Sequence, residues 1–503
     1  MEPSFVTVTV HGKARSVVVG TKLADLLEMP MPCGGHGKCG KCKVRAEGAL
    51  SPVTDTERNH LTQAELHDGI RLACCTSVIG DCTVELPEEN KRENQILTQT
   101  GNITDAVAPT FAQYGAAIDI GTTTLAAQLY DREGRPLAEC GRLNPQSAWG
   151  ADVISRIEAS MKGEGEKMAA SVRGAIDEML VELSRKAKID AEEIDGLVLT
   201  GNTAMLHLLT GTSTEPLSHA PFAAKRLFGE ILTPNDLGLT ALSLRANIYL
   251  PPCIAAFVGA DTVCALLATE LTKQTKPCLL ADIGTNGEMA LWHDGILSVC
   301  STAAGPAFEG VGISMGMNGS TGAIDKVSLL NGTIFAHVIG DVAPSGICGS
   351  GLIDAVACLL ENETLDETGL LDDDPVEISP PVILTQQDVR MVQLAKSAIC
   401  AGIRTLLREA KQTEDQVFVF DIAGGFGSYL NIGNAGKIGL IPAALTGKVK
   451  VVGNAALAGA AMLLLDRDAH RQAEKIAREA KVVDLATNPV FADSFMNGML
   501  FDA

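Results

Sequence analysis

Cysteines with the spacing of a metal site gather near the N-terminus of this sequence. Cys33, Cys39 and Cys42 follow the pattern C-x5-C-x2-C, and Cys74 comes after thirty-one further residues. A two-iron cluster takes three thiolate ligands from one tight loop and a fourth from another segment. Glycines at 34, 35, 37 and 40 permit the positive backbone angles φ that a wrapping loop needs. The spacing therefore predicts a [2Fe–2S] cluster.

The identity of the fourth ligand is ambiguous, because Cys74 is followed directly by Cys75. Adjacent residues of an extended segment point to opposite sides, so only one of these thiols is expected to face the cluster. A structural zinc ion is the main alternative metal. It would pair the C-x2-C motif with a second C-x2-C motif or two histidines, and that second half is missing.

A second chemical motif occurs twice in the rest of the chain. Residues 119–124 read DIGTTT and residues 282–287 read DIGTNG, and each copy stands between two apolar strands. A related segment, DIAGG, covers residues 421–425. Repetition of one strand–turn–strand unit predicts a duplicated core with one copy in each of two lobes.

Two such turns facing each other across a cleft can clamp a phosphate chain. Turn N–H groups and threonine hydroxyls donate to phosphate oxygens, and the aspartates hold Mg²⁺ or orient a water molecule. Two helices rich in small residues, which begin after Gly201-Asn202 and Gly453-Asn454, accompany the turns. This set resembles the superfamily of acetate and sugar kinases, Hsp70 and actin.

That resemblance implies a role for each matching residue. Asp119 would coordinate Mg²⁺ through water, and Asp282 would orient or deprotonate the attacking water. The helices after Gly201 and Gly453 would form the hinge between the lobes. The residues expected to contact ATP are Gly121, Thr122, Thr123, Thr124, Gly284, Thr285, Asn286, Gly424 and Gly425, with the last two beside the adenosine.

Composition excludes several classes of protein. The net charge is −21 and aromatic residues make up 4%, so broad nucleic-acid or anionic-membrane surfaces are not expected. No apolar run is long enough to span a membrane, and no signal peptide is recognisable, so we expect a cytoplasmic protein. The cysteines outside the N-terminal group, scattered singly among apolar residues, are expected to be buried thiols.

The chain divides into four predicted segments. Residues 1–88 form a β-grasp, ferredoxin-like domain, and the polar residues 89–113 form a linker. Residues 114–275 and 276–503 form lobes I and II of a duplicated RNase H-like ATPase fold, with a C-terminal helix returning to the lobe interface. The predicted class is thus a multidomain protein with α/β and α+β parts.

The combination of these domains resembles the reductive activators of corrinoid proteins, which serve methyltransferase and O-demethylase systems in anaerobes. Further matching motifs are NPQ at 144–146, GADVISRI at 150–157, LTGNTAM at 199–205, GPAFEG at 305–310, CGSGLID at 348–354 and NPVF at 488–491. Taken alone, Asp152 and Arg156 have the i,i+4 spacing of a surface pair. Within the family pattern RLACQT, the fourth cluster ligand is Cys74, so the metal ligands are Cys33, Cys39, Cys42 and Cys74.

The resemblance implies an ATP-dependent reductase. One electron would pass from the [2Fe–2S] cluster to the Co(II) corrinoid of a partner protein and regenerate Co(I), with Mg²⁺ and ATP bound between the lobes. The implied partners are a corrinoid protein and an upstream electron donor. The short interval between ferredoxin and ATPase predicts that an additional middle domain of some relatives is absent, which weakens the case for a homodimer.

Three other functions compete with this one. The first is a small-molecule kinase joined to a redox-sensing ferredoxin, and the second is an electron carrier whose ATPase fold is inert. The third is an activator of a radical dehydratase, but those proteins share a four-iron cluster between two subunits. A C-x5-C-x2-C loop does not fit that arrangement.

Overall fold

The structure is a computed structural model that describes residues 5–10, 12–27, 29, 31, 35, 37, 40–85, 108–425 and 427–501. The described residues belong to two compact units. The first unit lies within Met1–Glu93 and Pro145–Glu164, and the second lies within Asn94–Asn144 and Gly165–Ala503. The predicted cluster ligands Cys33 and Cys39 lie outside the described residues.

The N-terminal part of the first unit is a five-stranded sheet with the order β2-β1-β5-β3-β4. Val8, Val44 and Val84 are fully buried on one face of the sheet, as alternation along each strand requires. This arrangement agrees with the predicted β-grasp, ferredoxin-like fold. The elements are β1 (Phe5–Val10), β2 (Lys13–Val18), β3 (Lys43–Leu50), α1 (Asp55–His60), α2 (Gln63–His67), β4 (Ile70–Leu72) and β5 (Val78–Glu85).

The first unit also contains helix α3 (Val153–Ala159). The Asp152 carboxylate caps this helix by accepting the Ser155 N–H at 2.8 Å. Arg156 is completely buried, and its Nε donates to the Gly150 carbonyl at 3.0 Å. The expected surface pair of Asp152 and Arg156 is therefore wrong, because the aspartate caps the helix and the arginine packs inside.

The second unit contains two large sheets, each with six strands. The first has the order β10-β11-β9-β6-β7-β8. Its central strands are almost entirely buried, as expected for a sheet covered on both faces. Its elements are β6 (Tyr114–Ile120), β7 (Thr124–Asp131), β8 (Pro136–Leu143), α4 (Gly165–Ala187), β9 (Ile194–Gly201), α5 (Thr203–Thr210), β10 (Glu230–Leu232), α6 (Pro234–Leu237), β11 (Asn247–Leu250) and α7 (Ala260–Ala268).

The second large sheet has the order β21-β20-β12-β13-β14-β22, and two small sheets, of three and of two strands, accompany it. Its elements are β12 (Cys278–Ile283), β13 (Gly287–His293), β14 (Ile296–Thr302), β15 (Ala323–Leu330), β16 (Thr333–Val338), β17 (Gly346–Ile347), α8 (Gly349–Glu361), β18 (Val376–Ser379), β19 (Val382–Leu384), α9 (Gln386–Glu409), β20 (Val419–Ala423), α10 (Ile432–Lys437), β21 (Val449–Gly453), α11 (Ala455–Leu465), α12 (Arg467–Glu479), β22 (Lys481–Val482) and α13 (Pro489–Asn497).

The two large sheets repeat one topology. The spatial order β8-β7-β6-β9-β11 in the first corresponds to β14-β13-β12-β20-β21 in the second. In each, the first three strands form an antiparallel meander, and the next two are parallel to its first strand. The duplicated RNase H-like core predicted from the repeated DIGT motif is therefore confirmed.

Helix α11 packs against α7 and against strands β6 and β9 of the first large sheet. The two helices approach so closely that a Cβ atom at Gly459 would lie 1.9 Å from the Cys264 carbonyl oxygen. Helix α5 instead packs on α4 and β9. Helix α7 is therefore the packing partner of α11, and the hinge role expected of α5 and α11 stays a prediction. The last helix, α13, lies on α9.

The final residues of the predicted linker are not loose. Ala108 pairs with Asp466 in a parallel bridge, and the Thr110 N–H donates to the Leu464 carbonyl at 2.9 Å. The Phe111 ring is buried against Gly115 and Gly196, where a Cβ atom would clash with it. Residues 108–113 therefore belong to the second unit, because an aromatic anchor offsets the cost of ordering them.

We expect Gly459→Ala to lower the midpoint of thermal unfolding. The added methyl group must displace the Cys264 carbonyl, and overpacking of this kind costs about 1–3 kcal/mol. Gly174→Ala in helix α4 is the matched control, because that residue is exposed and has no other atom within 4 Å of a new Cβ. The control should gain about 1 kcal/mol from helix propensity. Equal melting temperatures for the two variants would contradict the close packing of α7 and α11.

No helix in the described ranges combines the length and apolar character needed to cross a membrane.

Candidate functional site

A cavity of about 460 Å³ lies in the second unit, and both DIGT turns line it. It contains all of the residues that the sequence assigned to nucleotide binding. These are Asp119, Gly121, Thr122, Thr123, Thr124, Asp282, Gly284, Thr285, Asn286, Gly424 and Gly425. Each turn follows the first strand of its own large sheet, β6 in one and β12 in the other. The two turns are therefore at equivalent positions of the two sheets, and both lie at this cavity.

Each Gly-Asn motif attaches a helix to the first DIGT turn. The side chains of Asn202 and Asn454 cap α5 and α11 by accepting backbone N–H groups. Their amide nitrogens then donate toward the turn. Asn202 Nδ2 donates to Thr122 Oγ1 at 3.2 Å, and Asn454 Nδ2 donates to Asp119 Oδ2 at 3.1 Å. The two asparagines thus hold the first DIGT turn in place. Sequence patterns around each asparagine do not predict these contacts, because Thr122 and Asp119 are distant in the chain.

Gly424 is required by its closeness to the second aspartate. Its φ is +95°, and a Cβ atom there would lie 2.6 Å from Asp282 Oδ1. A larger residue would therefore push the Asp282 carboxylate away and would also strain the backbone. The third related segment, DIAGG, thus supplies the surface against which Asp282 rests.

Burial and mutual repulsion raise the pKa values of the carboxyl groups in this cavity. The pKa of Asp119 rises to about 7, chiefly through burial and then through the charges of Asp261 and Asp282. Burial and the charge of Asp261 raise the pKa of Asp282 to about 7. Asp261 itself has a pKa raised to about 6 by burial. For Glu288, burial and the charges of Asp261 and Asp282 raise the pKa well above its usual range.

Sequence reasoning missed Asp261 and gave Glu288 no role. Asp261 is in the first turn of α7, after Gly259, where a Cβ atom would lie 2.7 Å from its Oδ1. A signal for Asp261 does exist, because Gly-Ala-Asp before an apolar helix repeats the pattern of glycine and a polar residue at 201 and 453. Glu288 faces Asp282 across the β12–β13 pair, so its position follows from the register of the strands.

Thr285 differs from the expectation that its hydroxyl donates to phosphate. Its Oγ1 donates to Glu309 Oε2 at 2.5 Å, and the Gly305 N–H donates to the Thr285 carbonyl at 3.0 Å. The GPAFEG segment at 305–310 therefore holds the second DIGT turn through these two hydrogen bonds. Donation from Thr285 to a phosphate requires its hydroxyl to leave Glu309 first.

The donor chemistry of this cavity suits Mg²⁺. Carboxylate oxygens are preferred Mg²⁺ ligands, and a cation between them would relieve the repulsion that raises their pKa values. Within the described ranges, no three His, Cys, Asp or Glu side chains converge on one metal position. Mg²⁺ is commonly held by one or two carboxylates, with water and substrate phosphates completing its coordination. Asp119 and Asp282 fit that role.

In the first unit, two predicted cluster ligands meet inside the ferredoxin-like domain. Cys42 Sγ and Cys74 Sγ are 3.2 Å apart, and both side chains are buried. The neighbouring Cys42 and burial raise the pKa of the Cys74 thiol strongly. Two thiolates at this distance need a cation between them, so the pair fits a metal cluster. The cluster loop turns sharply at Gly40, whose φ is +62°.

The turn that presents Cys74 is held by a buried ion pair. Glu57 accepts from Arg71 Nε at 2.8 Å, from the Leu72 N–H at 3.2 Å and from the Thr76 hydroxyl at 3.0 Å. Burial alone would raise the pKa of Glu57, but hydrogen bonds, chiefly from Arg71, hold it at about 2. The stabilisation is therefore complete above pH 4.5, the ordinary value, and is lost as the pH falls toward 2.

We expect Glu57→Gln to destabilise the ferredoxin-like domain. Removing one partner of a buried ion pair leaves the Arg71 charge uncompensated, which costs about 3 kcal/mol. Visible circular dichroism of the cluster, followed on heating at pH 7, measures the loss. Glu47→Gln on β3 is the control, since Glu47 is exposed. Identical melting of the two variants would show that the buried pair does not hold the Cys74 turn.

Comparison with known proteins shows the family to which this chain belongs. A corrinoid activation enzyme, RamQ of Eubacterium limosum, is 36% identical over 421 residues, which cover 77% of this chain and 70% of the relative. This chain belongs to the family of reductive activators of corrinoid proteins. A second relative is the [Co(II) methylated amine-specific corrinoid protein] reductase of Methanosarcina barkeri, at 27% identity over 76% of each chain.

Family models and a solved structure cover the activator from end to end. Residues 6–78 match the 2Fe-2S iron-sulfur cluster binding domain, residues 114–274 match the "RACo middle region", and residues 276–503 match the "C-terminal domain of RACo the ASKHA domain". A solved reductive activator for a corrinoid, iron-sulfur protein has a TM-score of 0.72 and 28% identity, and covers 98% of both chains. The family's middle region therefore corresponds to residues 114–274, which contain the first large sheet, and the absence of an additional domain between ferredoxin and ATPase stays a prediction.

Proposed function

We propose that this activator returns the Co(II) corrinoid of a partner protein to Co(I), using one electron from its own [2Fe–2S] cluster and the binding and hydrolysis of Mg-ATP. The observation that supports it most is the single cavity lined by both DIGT turns and by buried carboxylates. The corrinoid substrate is proposed because the relatives of this chain are activators or reductases of corrinoid proteins. An upstream donor must return an electron after each turnover.

The energetics give a reason for coupling this electron transfer to ATP. Each uphill step of about 59 mV in a one-electron transfer lowers the equilibrium constant tenfold. Coupling to ATP, or selective binding of a cobalt state that is easier to reduce, can supply the missing free energy. In this proposal, Mg-ATP draws the two DIGT turns together, and the resulting conformation binds the more easily reduced state of the corrinoid protein.

The residues divide this work between the two units. Cys42 and Cys74, with Cys33 and Cys39, would hold the cluster, which supplies a single electron when bound. Asp119 would hold Mg²⁺ through water, and Asp282 would orient or deprotonate the attacking water at the phosphate chain. A pKa of about 7 suits Asp282 as a base at neutral pH, since it is partly ionised there.

Formation of Co(I) tests this function directly. The activator is mixed with a corrinoid protein held in the Co(II) state, a reductant and Mg-ATP, and the Co(I) absorption is followed without oxygen. We expect Co(I) to accumulate with ATP and not with a non-hydrolysable analogue. Equal accumulation without nucleotide would refute the ATP requirement. Phosphate transfer to an added sugar or carboxylic acid would instead indicate a kinase.

We also expect binding of Mg-ATP to weaken as the pH falls below 7. Asp119 and Asp282, whose pKa values are about 7, take up protons there and lose the charge that attracts Mg²⁺. Binding near pH 7 should therefore release protons, which calorimetry in buffers of different ionisation enthalpy detects. Calorimetry with ATP and EDTA is the control and should show much less release. Proton release that is equal with and without Mg²⁺ would contradict this assignment.

A further inference from the structure

The segment carrying the fourth cluster ligand is a turn, not an extended strand. Strand β4 ends at Leu72, and residues 73–75 form a turn in which the Cys75 N–H donates to the Leu72 carbonyl at 2.9 Å. The argument that Cys74 and Cys75 must face opposite sides therefore does not apply. Their Sγ atoms are 3.6 Å apart, and Cys74 Sγ is 3.2 Å from Cys42 Sγ.

The turn that carries both cysteines lies beside glycines of the cluster loop. A Cβ atom placed on Gly37 would lie 3.4 Å from Cys75 Sγ, and one placed on Gly35 would lie 3.9 Å from Cys74 Cβ. The Cys75 sulfur is therefore on the loop side of the turn, where iron is expected. Cys74 is 3% exposed, whereas Cys75 is half-buried and packs at the border of the hydrophobic core of the domain.

We propose that Cys75 is a reserve ligand of the [2Fe–2S] cluster, able to take the iron coordination position of Cys74. A small rotation of the turn exchanges sulfurs that are already in contact. Cysteine thiolates are equivalent ligands, so the exchange preserves the charge and the ligand type of the cluster. The exchange consumes no electrons, because one thiolate–iron bond breaks as another forms and a proton passes from the incoming thiol to the outgoing thiolate.

Two other roles for Cys75 fit the structure less well. A packing residue would be buried among apolar side chains, as Cys82 on β5 is, at 6% exposed. Cys75 as the resident ligand would leave the more deeply buried Cys74, in contact with Cys42, without a task. The proposal concerns only the cluster and is independent of the role of ATP.

Alanine variants of the full chain, reconstituted with iron and sulfide without oxygen, test the exchange. Alanine is chosen because a serine oxygen can itself bind iron. Iron and acid-labile sulfide per chain and the electron paramagnetic resonance of the reduced cluster are measured. Cys75→Ala and the control Cys82→Ala should match the wild type. Cys74→Ala should keep most of its iron with a shifted spectrum, and Cys74→Ala/Cys75→Ala should lose the cluster.

Two outcomes would overturn the proposal. The first is a Cys74→Ala variant as poor in iron as the double variant, and the second is a Cys75→Ala variant that loses the cluster. If alanine at 74 prevents folding, the comparison of Cys74→Val with Cys74→Val/Cys75→Ala replaces it, because valine also lacks an atom that binds iron. Alkylation gives a second measurement, since Cys75 should react in the loaded wild type and be protected in the loaded Cys74 variants. Equal reactivity in both would also contradict the exchange.

Discussion

Asp282→Asn is expected to slow ATP hydrolysis by about two to four orders of magnitude, the usual effect of removing a positioned general base. The amide has the same shape as the carboxylate, so contact with Gly424 is kept. It cannot accept a proton at neutral pH, and it lacks the charge that attracts Mg²⁺. Phosphate release and Co(I) formation should fall together, while the iron content stays unchanged.

The controls for this variant separate chemistry from folding. Asp493→Asn, on the exposed face of α13, removes a carboxylate outside the cavity and should hydrolyse ATP like the wild type. Asp119→Asn should weaken the Mg²⁺ dependence, because it removes the charge proposed to hold Mg²⁺, while the side-chain oxygen can still accept from Asn454 Nδ2. If Asp282→Asn hydrolyses ATP at the wild-type rate, the water-activating role of this carboxylate is wrong.

Cys42→Ala is expected to abolish Co(I) formation while leaving ATP hydrolysis largely intact. Cys42 is 2% exposed, and its carbonyl accepts the Ala73 N–H at 2.8 Å, so the backbone ties the loop to the Cys74 turn. Removing its sulfur takes one of four thiolates from the cluster, and the double variant Cys42→Ala/Cys75→Ala excludes replacement by the nearby Cys75. Visible absorption, iron content and the Co(I) assay should all report the loss.

ATP hydrolysis by Cys42→Ala shows whether the nucleotide site depends on the cluster that donates the electron. A Cys42→Ala chain that still hydrolyses ATP would show that the nucleotide site works without the cluster. Cys82→Ala is the control, because it removes a buried thiol from the same domain without removing a ligand. Full iron content in Cys42→Ala would contradict the assignment of Cys42 as a ligand.

Local features of the fold could be predicted because their causes are local. A strand, a DIGT turn and a second strand are consecutive in the chain, and their repetition predicts two equivalent sheets. Cys33, Cys39 and Cys42 belong to one short stretch of sequence, so their spacing indicates an iron–sulfur cluster without knowledge of the fold. The predicted nucleotide residues line one cavity for the same reason, since each belongs to a short motif at a strand end.

Contacts between distant segments could not be predicted. Asp261 joins the cavity only because α7 packs against α11, and the pairing of those helices depends on the close approach at Gly459. The Thr285 hydroxyl is committed to Glu309, which is twenty-four residues away in the chain. The Phe111 ring packs against Gly115 and Gly196, and this contact holds the end of the polar segment in the second unit.

The sequence alone indicated the chemistry proposed for this activator: four cysteines for a cluster, two DIGT turns for phosphate, and a duplicated fold that carries one turn in each half. The tertiary structure decided how these groups are held and charged. Burial and the mutual repulsion of Asp119, Asp261 and Asp282 depend on distances that a sequence does not contain. The turn at Cys74 and Cys75 is the sharpest example, because adjacent residues face one side or opposite sides according to a backbone angle that tertiary contacts fix.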